Sequence, residues 1–317
     1  MKIPPLKKSG GVALITVLLV VASATIAAVA ISSRLQVDIR RTENLLHADQ
    51  AWLHALGIES WAQGVLAADA RETGTDHLGE AWNKPLESTP VEGGSVAGKI
   101  VDQQGLFNLN NLLDKDLKPS DLGLERFRRL LKILELDPLL ANALLDWMDK
   151  DSEPQPEGGA EDGDYQGRAP AYVSANRRLV HPSELLLVKG FTPEVYGLVA
   201  PYVCALPEPV DININTAPVP VLMSLVEGLT EQDAQRLADD IEASPFEEIS
   251  EFMQHDAIAG LKIPAKRHGL GLKSDYFKIR GRVRVGKAQV GISSLLHRAE
   301  GEGVKIILRM REDIFSG

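Results

Sequence analysis

The longest run of hydrophobic residues covers positions 12–31 and contains no charged residue, proline or glycine. An α-helix rises about 1.5 Å per residue, so this run spans about 30 Å, the hydrocarbon thickness of a bilayer. Three lysines, Lys2, Lys7 and Lys8, precede the run, and a largely polar sequence follows it. The pattern therefore predicts a single transmembrane helix with the bulk of the chain on one side of the membrane.

The hydrophobic pattern continues beyond the predicted span with a helical period. Between residues 32 and 70, apolar residues recur at three- and four-residue steps, and no proline occurs from residue 12 until Pro85. We therefore predict one continuous helix over residues 12–70, whose second part is amphipathic. A cleaved secretory signal is the alternative. Against it, the hydrophobic run is longer than the usual core of about 7–15 residues, and no small-x-small cleavage site followed by a break in the pattern is evident.

The period changes after the predicted helix. Residues 71–94 are rich in Gly, Pro, Thr, Asp and Glu and are predicted to form a loop. A strand is predicted at about 96–102, and helical periodicity dominates from there to residue 271. In the C-terminal region, apolar and polar residues alternate again, which predicts an antiparallel meander. Its three strands are expected at residues 276–285, 288–299 and 304–310.

Together these elements predict an α+β fold in which a long N-terminal helix packs on a small antiparallel sheet. A large α-helical domain is expected to be inserted after the first strand. The predicted divisions of the chain are a leader (1–11), the transmembrane segment (12–31), the amphipathic continuation (32–70), a loop with the first strand (71–105), the inserted helical domain (106–271) and the C-terminal strands (272–317).

Composition narrows the possible functions. The 317-residue chain has a net charge of −10, whereas a general nucleic-acid-binding protein needs a basic surface to displace counterions from phosphates. The single cysteine, Cys204, lies among apolar residues. An intrachain disulfide and a cysteine-based metal cage are therefore impossible, and we expect Cys204 to be a small buried residue.

The densest charge lies between residues 149 and 164, where seven carboxylates accompany a single lysine. Carboxylate oxygens in a glycine-rich loop suit Ca²⁺, which takes about six to eight oxygen ligands. The segment begins like an EF-hand, but Pro154 stands where glycine is required and Ala160 where the last glutamate is required. A solvated acidic loop without an ion is the alternative. The predicted Ca²⁺ ligands are Asp149, Asp151, Glu161, Asp162 and Asp164.

A later part of the predicted helical domain, residues 211–255, resembles helix-hairpin-helix or SAM-like modules, some of which bind DNA. The DNA-binding versions present backbone amides and basic side chains to phosphate. Here the turn at residues 227–231 is acidic, with Glu227 and Glu231 flanking Gly228. We therefore predict a helical packing module and no nucleic-acid partner.

No catalytic motif accompanies these elements. The patterns G-x-S-x-G, H-E-x-x-H and G-x-x-x-x-G-K-[ST] are absent from the sequence. His47 and His54 lie seven residues apart on the predicted helix and are better explained as surface or packing residues than as metal ligands. The paired carboxylates of the acidic loop lack the aromatic platform that a glycosidase needs, since aromatic residues make up 5% of the chain. We predict that the protein is not an enzyme.

A basic leader ending in glycine, an uncharged apolar stretch and an amphipathic extension resemble the type IV prepilin class. The segment GGVALITVLLVVA is similar to the start of the general secretion pathway protein K family, the large minor pseudopilins of type II secretion systems. In that family a prepilin peptidase cuts after the glycine. This implies cleavage after Gly11 and methylation of the new N-terminal residue, Val12. Most pilins carry a glutamate at the fifth mature position. That position is Thr16 here, or Ile15 if the cut follows Gly10, and neither residue is acidic. The protein K family departs from the pilin rule in the same way.

The interior segments LLDWMDKDSEPQPEGGAEDGDY, NRRLVHPSELLLVKGF and DININTAP extend the resemblance over essentially the whole chain. The resemblance implies a minor pseudopilin stored in the inner membrane by residues 12–31, with its globular part in the periplasm. It further implies processing by prepilin peptidase, assembly with other minor pseudopilins, and support of protein secretion across the outer membrane. Basic residues are nearly balanced on the two sides of the span, so this orientation rests on the resemblance.

Two features indicate a position at the tip of the pseudopilus, where assembly begins. A helical insertion of this size would crowd neighbouring subunits within a filament layer but not at an open end. In the family, the fifth-position glutamate pairs with the N-terminal amine of the subunit above. A tip subunit lacks that partner, and an unpaired charge at Thr16 would cost roughly 2.5–3.5 kcal/mol in lipid. Leu45, Trp52 and Leu56 are expected to contact sister helices.

Two other classes of protein stay open at this point. One is a membrane-anchored DNA-uptake or nucleic-acid-binding protein that uses the helix-hairpin-helix-like segment. The other is a periplasmic enzyme with a signal anchor, for which the sequence supplies no catalytic constellation.

Overall fold

The computed structural model describes residues 10–72, 74–261, 269–299, 301 and 303–312. Most of the predicted leader at residues 1–11 lies outside the described residues. So do part of the predicted linker before residue 271 and the end of the chain.

Helices and short strands alternate between the long first helix and a C-terminal set of long strands. The helices are α1 (Gly10–Asp69), α2 (Asp121–Ile133), α3 (Leu140–Met148), α4 (Asp162–Gln166), α5 (Pro193–Val199), α6 (Val219–Leu225), α7 (Glu231–Ala243) and α8 (Ile249–Gln254). The strands are β1 (Leu86–Val91), β2 (Gly94–Asp102), β3 (Phe107–Asn108), β4 (Val203–Cys204), β5 (Ile212–Asn213), β6 (Leu270–Gly271), β7 (Tyr276–Val285), β8 (Ala288–Ala299) and β9 (Gly303–Glu312).

Helix α1 runs without interruption from Gly10 to Asp69, which confirms the predicted continuous helix. Every residue from 11 to 46 is exposed, and by length and composition this helix is able to cross a membrane. Its last third is different, because one face is buried at steps of three and four residues, as an amphipathic helix requires. The buried residues on that face are Ala51, Ala55, Ile58, Ala62 and Leu66.

The buried face of α1 packs on a five-stranded antiparallel sheet with the strand order β1-β2-β7-β8-β9. Alternate residues of the central strand β7, including Phe277, Ile279 and Val283, are buried in the core that the sheet shares with α1. Gly281 permits this close approach, because a Cβ there would lie 2.9 Å from Cδ1 of Ile58. The predicted packing of a long helix on an antiparallel sheet is thus confirmed.

The sheet contains one strand more than the sequence predicts. Residues 71–94 are predicted to be a loop, yet β1 occupies Leu86–Val91 and pairs with β2. The four central residues of β1 are exposed, so no alternation of apolar residues reveals the strand. Pro90 is tolerated because β1 lies at the edge of the sheet. The helical insertion therefore follows the second strand rather than the first.

The segment between β2 and β7, here called the helical domain, has its own apolar core. Large buried side chains in that core include Phe107, Phe127, Trp147 and Phe252. The domain is not purely helical, since β3 pairs with β4 and β5 pairs with β6, both in parallel. Each of these strands has two residues, which is too short for a hydrophobic period to predict.

The helical domain lies at the end of the sheet farthest from the apolar part of α1. Strands β2 and β7 are neighbours, so the chain leaves and re-enters the sheet at one end. That end also holds the C-terminus of α1, where Asp69 lies 2.8 Å from Arg298 of β8. At the opposite end, Nε2 of Gln50 donates a hydrogen bond to the carbonyl oxygen of Glu92 at 2.9 Å.

A buried polar network joins the helical domain to the sheet. Oδ2 of Asp102, the last residue of β2, accepts hydrogen bonds from Oγ1 of Thr216 (2.5 Å), Oγ of Ser274 (2.7 Å) and Nδ2 of Asn213 (3.2 Å). Burial raises the pKa of Asp102 to about 6, against the lowering effect of these hydrogen bonds. This carboxylate therefore joins the end of β2 to two other segments, residues 213–216 and Ser274, at the point where the domain begins.

Candidate functional site

The acidic loop lies on the helical domain between α3 and α4. Asp149 follows the last residue of α3, Glu161 precedes α4, and Asp151 lies between them. One carboxylate oxygen of each of these three residues lies within 4.8 Å of the others. The loop therefore gathers three of the five predicted ligands around one point.

Two of these carboxylates have a buried oxygen that no described residue satisfies. Oδ1 of Asp149 and Oε1 of Glu161 are buried and have no hydrogen-bond partner among the described residues. Burial, followed by the charges of Asp151, Asp146 and Glu161, raises the pKa of Asp149 to about 7. Burial is also the largest cause of a raised pKa at Glu161. A bound cation would offset the free-energy cost of these unsatisfied buried oxygens.

A fourth carboxylate, Asp146 of α3, shapes the loop. Asp146 is fully buried, and its oxygens accept hydrogen bonds from the backbone N–H groups of Gln155 (3.0 Å) and Ala160 (2.8 Å). Gly159 is needed beside it, because a Cβ there would lie 2.5 Å from Oδ2 of Asp146. Asp146 is not among the ligands predicted from the sequence. The only sequence sign of its role is an acidic residue within an apolar helical segment.

The other two predicted ligands are engaged by protein groups. Oδ1 of Asp162 accepts hydrogen bonds from the backbone N–H and the hydroxyl of Ser174, both at 2.9 Å. Oδ1 of Asp164 lies 2.7 Å from Nζ of Lys189, and this hydrogen bond is the main cause that lowers the pKa of Asp164. The structure therefore does not direct these oxygens to the point shared by the first three carboxylates.

The donor set at that point fits Ca²⁺. All three groups are carboxylates, the hard oxygen ligands that Ca²⁺ prefers, and they come from a loop of irregular geometry. Asp151 is exposed, so the point is open to solvent, which can supply further oxygen ligands. The buried oxygens without partners at Asp149 and Glu161 are the observation that favours an ion over a merely solvated loop.

A second acidic cluster lies at the C-terminal end of α1, where Asp69, Asp76 and Glu80 are all buried. Arg298 lies within this cluster, 2.8 Å from Oδ2 of Asp69 and 2.6 Å from the oxygens of Asp76. Oε2 of Glu80 accepts a hydrogen bond from Nε1 of Trp82 at 2.7 Å. Because Arg298 already pairs with two of the three carboxylates, Asp69 and Asp76, this cluster ties α1 to β8.

The predicted processing site lies in the first turn of α1. Gly11 and Val12 belong to the helix, and 66% of Val12 is exposed. At the fifth position after the predicted cut, the hydroxyl of Thr16 donates hydrogen bonds to the carbonyl oxygens of Val12 (3.1 Å) and Ala13 (2.9 Å). The helix itself therefore satisfies this hydroxyl.

The part of α1 beyond the predicted membrane span keeps an exposed apolar face. Leu45, Leu46 and Leu53 are each about three-fifths or more exposed. Trp52 and Leu56, which the sequence also predicts as contacts for sister helices, are instead partly buried against the sheet core. The exposed leucines are therefore available to another helix, as are Leu35, Val37 and Ile39 nearer the predicted span.

An apolar helix able to span a membrane, packed on an antiparallel sheet that carries a helical domain at its far end, defines a single-span, pilin-like protein. Family models described as type II secretion system (T2SS), protein K, match residues 105–208 and 212–273. The chain belongs to the type II secretion system protein K family, whose members are components of a protein-secretion system.

Full-length relatives agree with this assignment. The type II secretion system protein K of Pseudomonas aeruginosa is 39% identical over 311 residues, which cover 94% of this chain and 92% of the relative. The Aeromonas hydrophila protein K is 32% identical over 325 residues, covering 97% of this chain and 98% of the relative. These matches, and the solved structure below, do not support the alternative of a nucleic-acid-binding protein.

A solved structure shares the fold. A chain of the GspK-GspI-GspJ complex from the enterotoxigenic Escherichia coli type 2 secretion system matches with a TM-score of 0.77 and 25% identity. The match covers 86% of this chain and 99% of that chain. It therefore includes the sheet and the helical domain together.

Proposed function

We propose that this minor pseudopilin occupies the tip of the pseudopilus, where it helps to initiate assembly and thereby supports protein secretion. The observation that carries the proposal is the position of the helical domain at the end of the sheet farthest from the apolar part of α1. If α1 lies along the filament axis with its apolar end toward the membrane, the helical domain extends toward the next layer. Only a subunit with no layer above it has room for that domain.

Thr16 supports the same position. Its hydroxyl is satisfied by the carbonyl oxygens of Val12 and Ala13, so it needs no partner from another subunit. A glutamate at this position would need such a partner inside the membrane, because an unpaired charge there costs roughly 2.5–3.5 kcal/mol. A tip subunit gains nothing from that charge, since no N-terminal amine lies above it.

The proposed partners are other minor pseudopilins, of the kinds that GspI and GspJ represent in the related complex. The exposed leucines of α1 at positions 45, 46 and 53 are the proposed contacts, because apolar helix faces associate by packing side chains between one another.

The proposed location is the inner membrane, crossed once by α1, with the sheet and the helical domain in the periplasm. Prepilin peptidase is proposed to cut between Gly11 and Val12, and Val12 is then methylated. We assign the protein no catalytic activity and propose that the α6–α8 part of the helical domain is a SAM-like packing module.

We also propose that the acidic loop binds Ca²⁺. Asp149, Asp151 and Glu161 would hold the ion, since their oxygens already lie together. Asp162 and Asp164, the remaining predicted ligands, would join only if Ser174 and Lys189 released them. When bound, the ion supplies positive charge that neutralises this cluster and stabilises the loop.

Labelling of filament ends tests the tip position. In a strain that overproduces the major pseudopilin, gold-labelled antibody against an epitope in this full-length chain should decorate one end of each pseudopilus. A tagged major pseudopilin serves as the control and should be labelled along the whole length. Labelling of this chain along the shaft, or normal filaments and normal secretion in a strain lacking it, would refute the proposal.

A further inference from the structure

One face of the sheet carries an unusual row of positive charge for a chain whose net charge is −10. In β7 the residues at positions 277, 279, 281, 283 and 285 are buried toward α1, while the alternate positions face the other way. Those alternate positions are Lys278, Arg280, Arg282 and Arg284. Successive residues of a strand point to opposite faces, so these four cations line the face opposite α1.

Lys99 of β2 extends the row sideways. It pairs in register with Arg280, and directly paired residues of neighbouring strands project on the same face. Arg280 is partly neutralised by Glu312, at 3.3 Å. Among the described residues, Lys99, Lys278, Arg282 and Arg284 form no ion pair. The positive charge of this face, here called the cationic face, is therefore mostly uncompensated within the chain.

The cationic face leads into a cleft between the sheet and the helical domain, with a volume of about 470 Å³. Its lining includes the aliphatic side chains of Leu295, Leu308 and Met310, the rings of Tyr196 and His181, and the charged groups of Lys278, Arg280 and Glu312. Ser293 also lines it; this side chain is 1% exposed, and its hydroxyl has no hydrogen-bond partner among the described residues. The cleft therefore offers an apolar surface, an unsatisfied buried hydroxyl and adjacent cations.

We propose that the cleft and the cationic face together bind an acidic segment of another polypeptide in an extended conformation. Alternate residues of a strand are about 6.6–6.8 Å apart, so Lys278 to Arg284 cover about 20 Å. Acidic residues at every second position of an extended segment repeat at the same distance. An aliphatic residue at one end of the segment enters the cleft, and its backbone satisfies the hydroxyl of Ser293.

The surroundings favour a polypeptide over a nucleic acid. The net charge of −10 repels a long polyanion, whereas a short acidic segment meets only the local positive field. The aliphatic side chains of the cleft suit a leucine-like side chain, whereas bases bind preferentially by stacking on aromatic rings, of which the described lining offers only Tyr196 and His181 against many aliphatic residues. The cationic face also stays free when α1 packs with sister helices, because it lies on the other side of the sheet.

Fluorescence anisotropy with the full-length chain in detergent micelles tests the proposal. The probe is a labelled peptide with one leucine followed by glutamates at alternate positions separated by threonines. Controls are a peptide of the same composition with adjacent glutamates, the first peptide without its leucine, and a labelled 12-nucleotide oligothymidine. We expect the alternating peptide to bind most tightly and its binding to weaken as salt is raised.

Charge reversal identifies the surface. The double variant Arg282→Glu/Arg284→Glu should bind the alternating peptide about tenfold or more weakly. The reason is that two attractive arginine–glutamate contacts are replaced by repulsion between glutamates. The matched control is Lys115→Glu/Lys132→Glu, which changes the net charge equally on exposed residues of the helical domain. Unchanged thermal unfolding of both variants shows that they are folded.

Three outcomes would overturn the proposal. They are equal binding of the two glutamate peptides, equal effects of the two double variants, and tighter binding of the oligonucleotide. Concentration-dependent self-association that Arg282→Glu/Arg284→Glu abolishes, without any peptide binding, would also overturn it and would assign the cationic face to a second copy of this chain.

Discussion

At the scale of single residues, we expect Asp149 to have opposite effects on stability with and without the proposed Ca²⁺ ion. It is buried, one of its oxygens lacks a partner among the described residues, and its surroundings raise its pKa to about 7. Without a cation, the folded protein holds a poorly solvated carboxylate. With the proposed cation bound, the same carboxylate would be a ligand.

The substitution Asp149→Asn tests this behaviour by thermal unfolding in chelator and in calcium. In chelator we expect the variant to be more stable by about 1–2 kcal/mol at pH 7.5 or above, because an unpaired buried charge is removed. In millimolar calcium we expect the calcium-induced rise in melting temperature to be lost.

Asp164→Asn is the matched control. It breaks an exposed ion pair with Lys189, which is worth at most about 1 kcal/mol, and it should leave the calcium-induced rise intact. An unchanged melting temperature of the original protein on addition of calcium would mean that the acidic loop is only solvated.

The raised carboxyl pKa values predict a pH dependence. The pKa values of Asp69 and Asp102 are raised to about 6 and that of Asp149 to about 7, in each case chiefly by burial. Because the folded state then binds more protons than the unfolded state, these groups lower the stability as pH rises from about 4 to about 7. Urea unfolding in chelator should therefore show higher stability at pH 5.5 than at pH 7.5. The difference in stability between the two pH values should shrink in Asp149→Asn. A difference of equal size in that variant would contradict the raised pKa of Asp149.

At the scale of elements, the contact between α1 and the sheet depends on small residues. A Cβ at Gly281 would lie 2.9 Å from Cδ1 of Ile58 and 3.0 Å from Cγ2 of Ile292. We expect Gly281→Ala to destabilise the protein by about 1–3 kcal/mol through overpacking, as measured by urea unfolding. Adding Ile58→Val removes the crowded Cδ1 and should make the double variant less destabilised than the sum of the two single changes.

Gly64→Ala is the control for this prediction. Gly64 is exposed on α1, and a Cβ there would meet nothing within 4 Å. Alanine should stabilise the helix by up to about 1 kcal/mol at this position. If Gly281→Ala were as well tolerated as Gly64→Ala, the close packing of α1 on β7 would be wrong.

The elements differ in how far their sequence reveals them. Helix α1 is predictable because its buried face repeats with the helical period over a long stretch. Strand β1 is not, because it lies at a sheet edge with its central residues exposed and is held by backbone pairing to β2. The gathering of Asp149, Asp151 and Glu161 follows from their closeness in sequence.

Contacts distant in sequence could not be predicted. Asp164 is held by Lys189, and Asp69 is held by Arg298, which lies 229 positions along the chain. These pairings depend on how the helical domain and the sheet fold, and no period or spacing in the sequence encodes them. The unsatisfied oxygens of Asp149 and Glu161 are likewise visible only in three dimensions.

At the scale of the whole molecule, the chain is arranged along one direction. An apolar helix lies at one end, the sheet on which α1 packs lies in the middle, and the helical domain lies at the far end. This arrangement suits a subunit that is stored in a membrane, extracted from it and placed where its far end meets no further layer.

We propose that prepilin peptidase removes the residues up to and including Gly11 and leaves Val12 as the N-terminus of α1. Mass spectrometry of the mature N-terminus, on the full-length protein purified from a strain with its secretion system intact, tests it most directly. We expect a chain that starts at Val12 and carries one methyl group on its amine. An intact Met1, or a chain cut near residue 30, would contradict it.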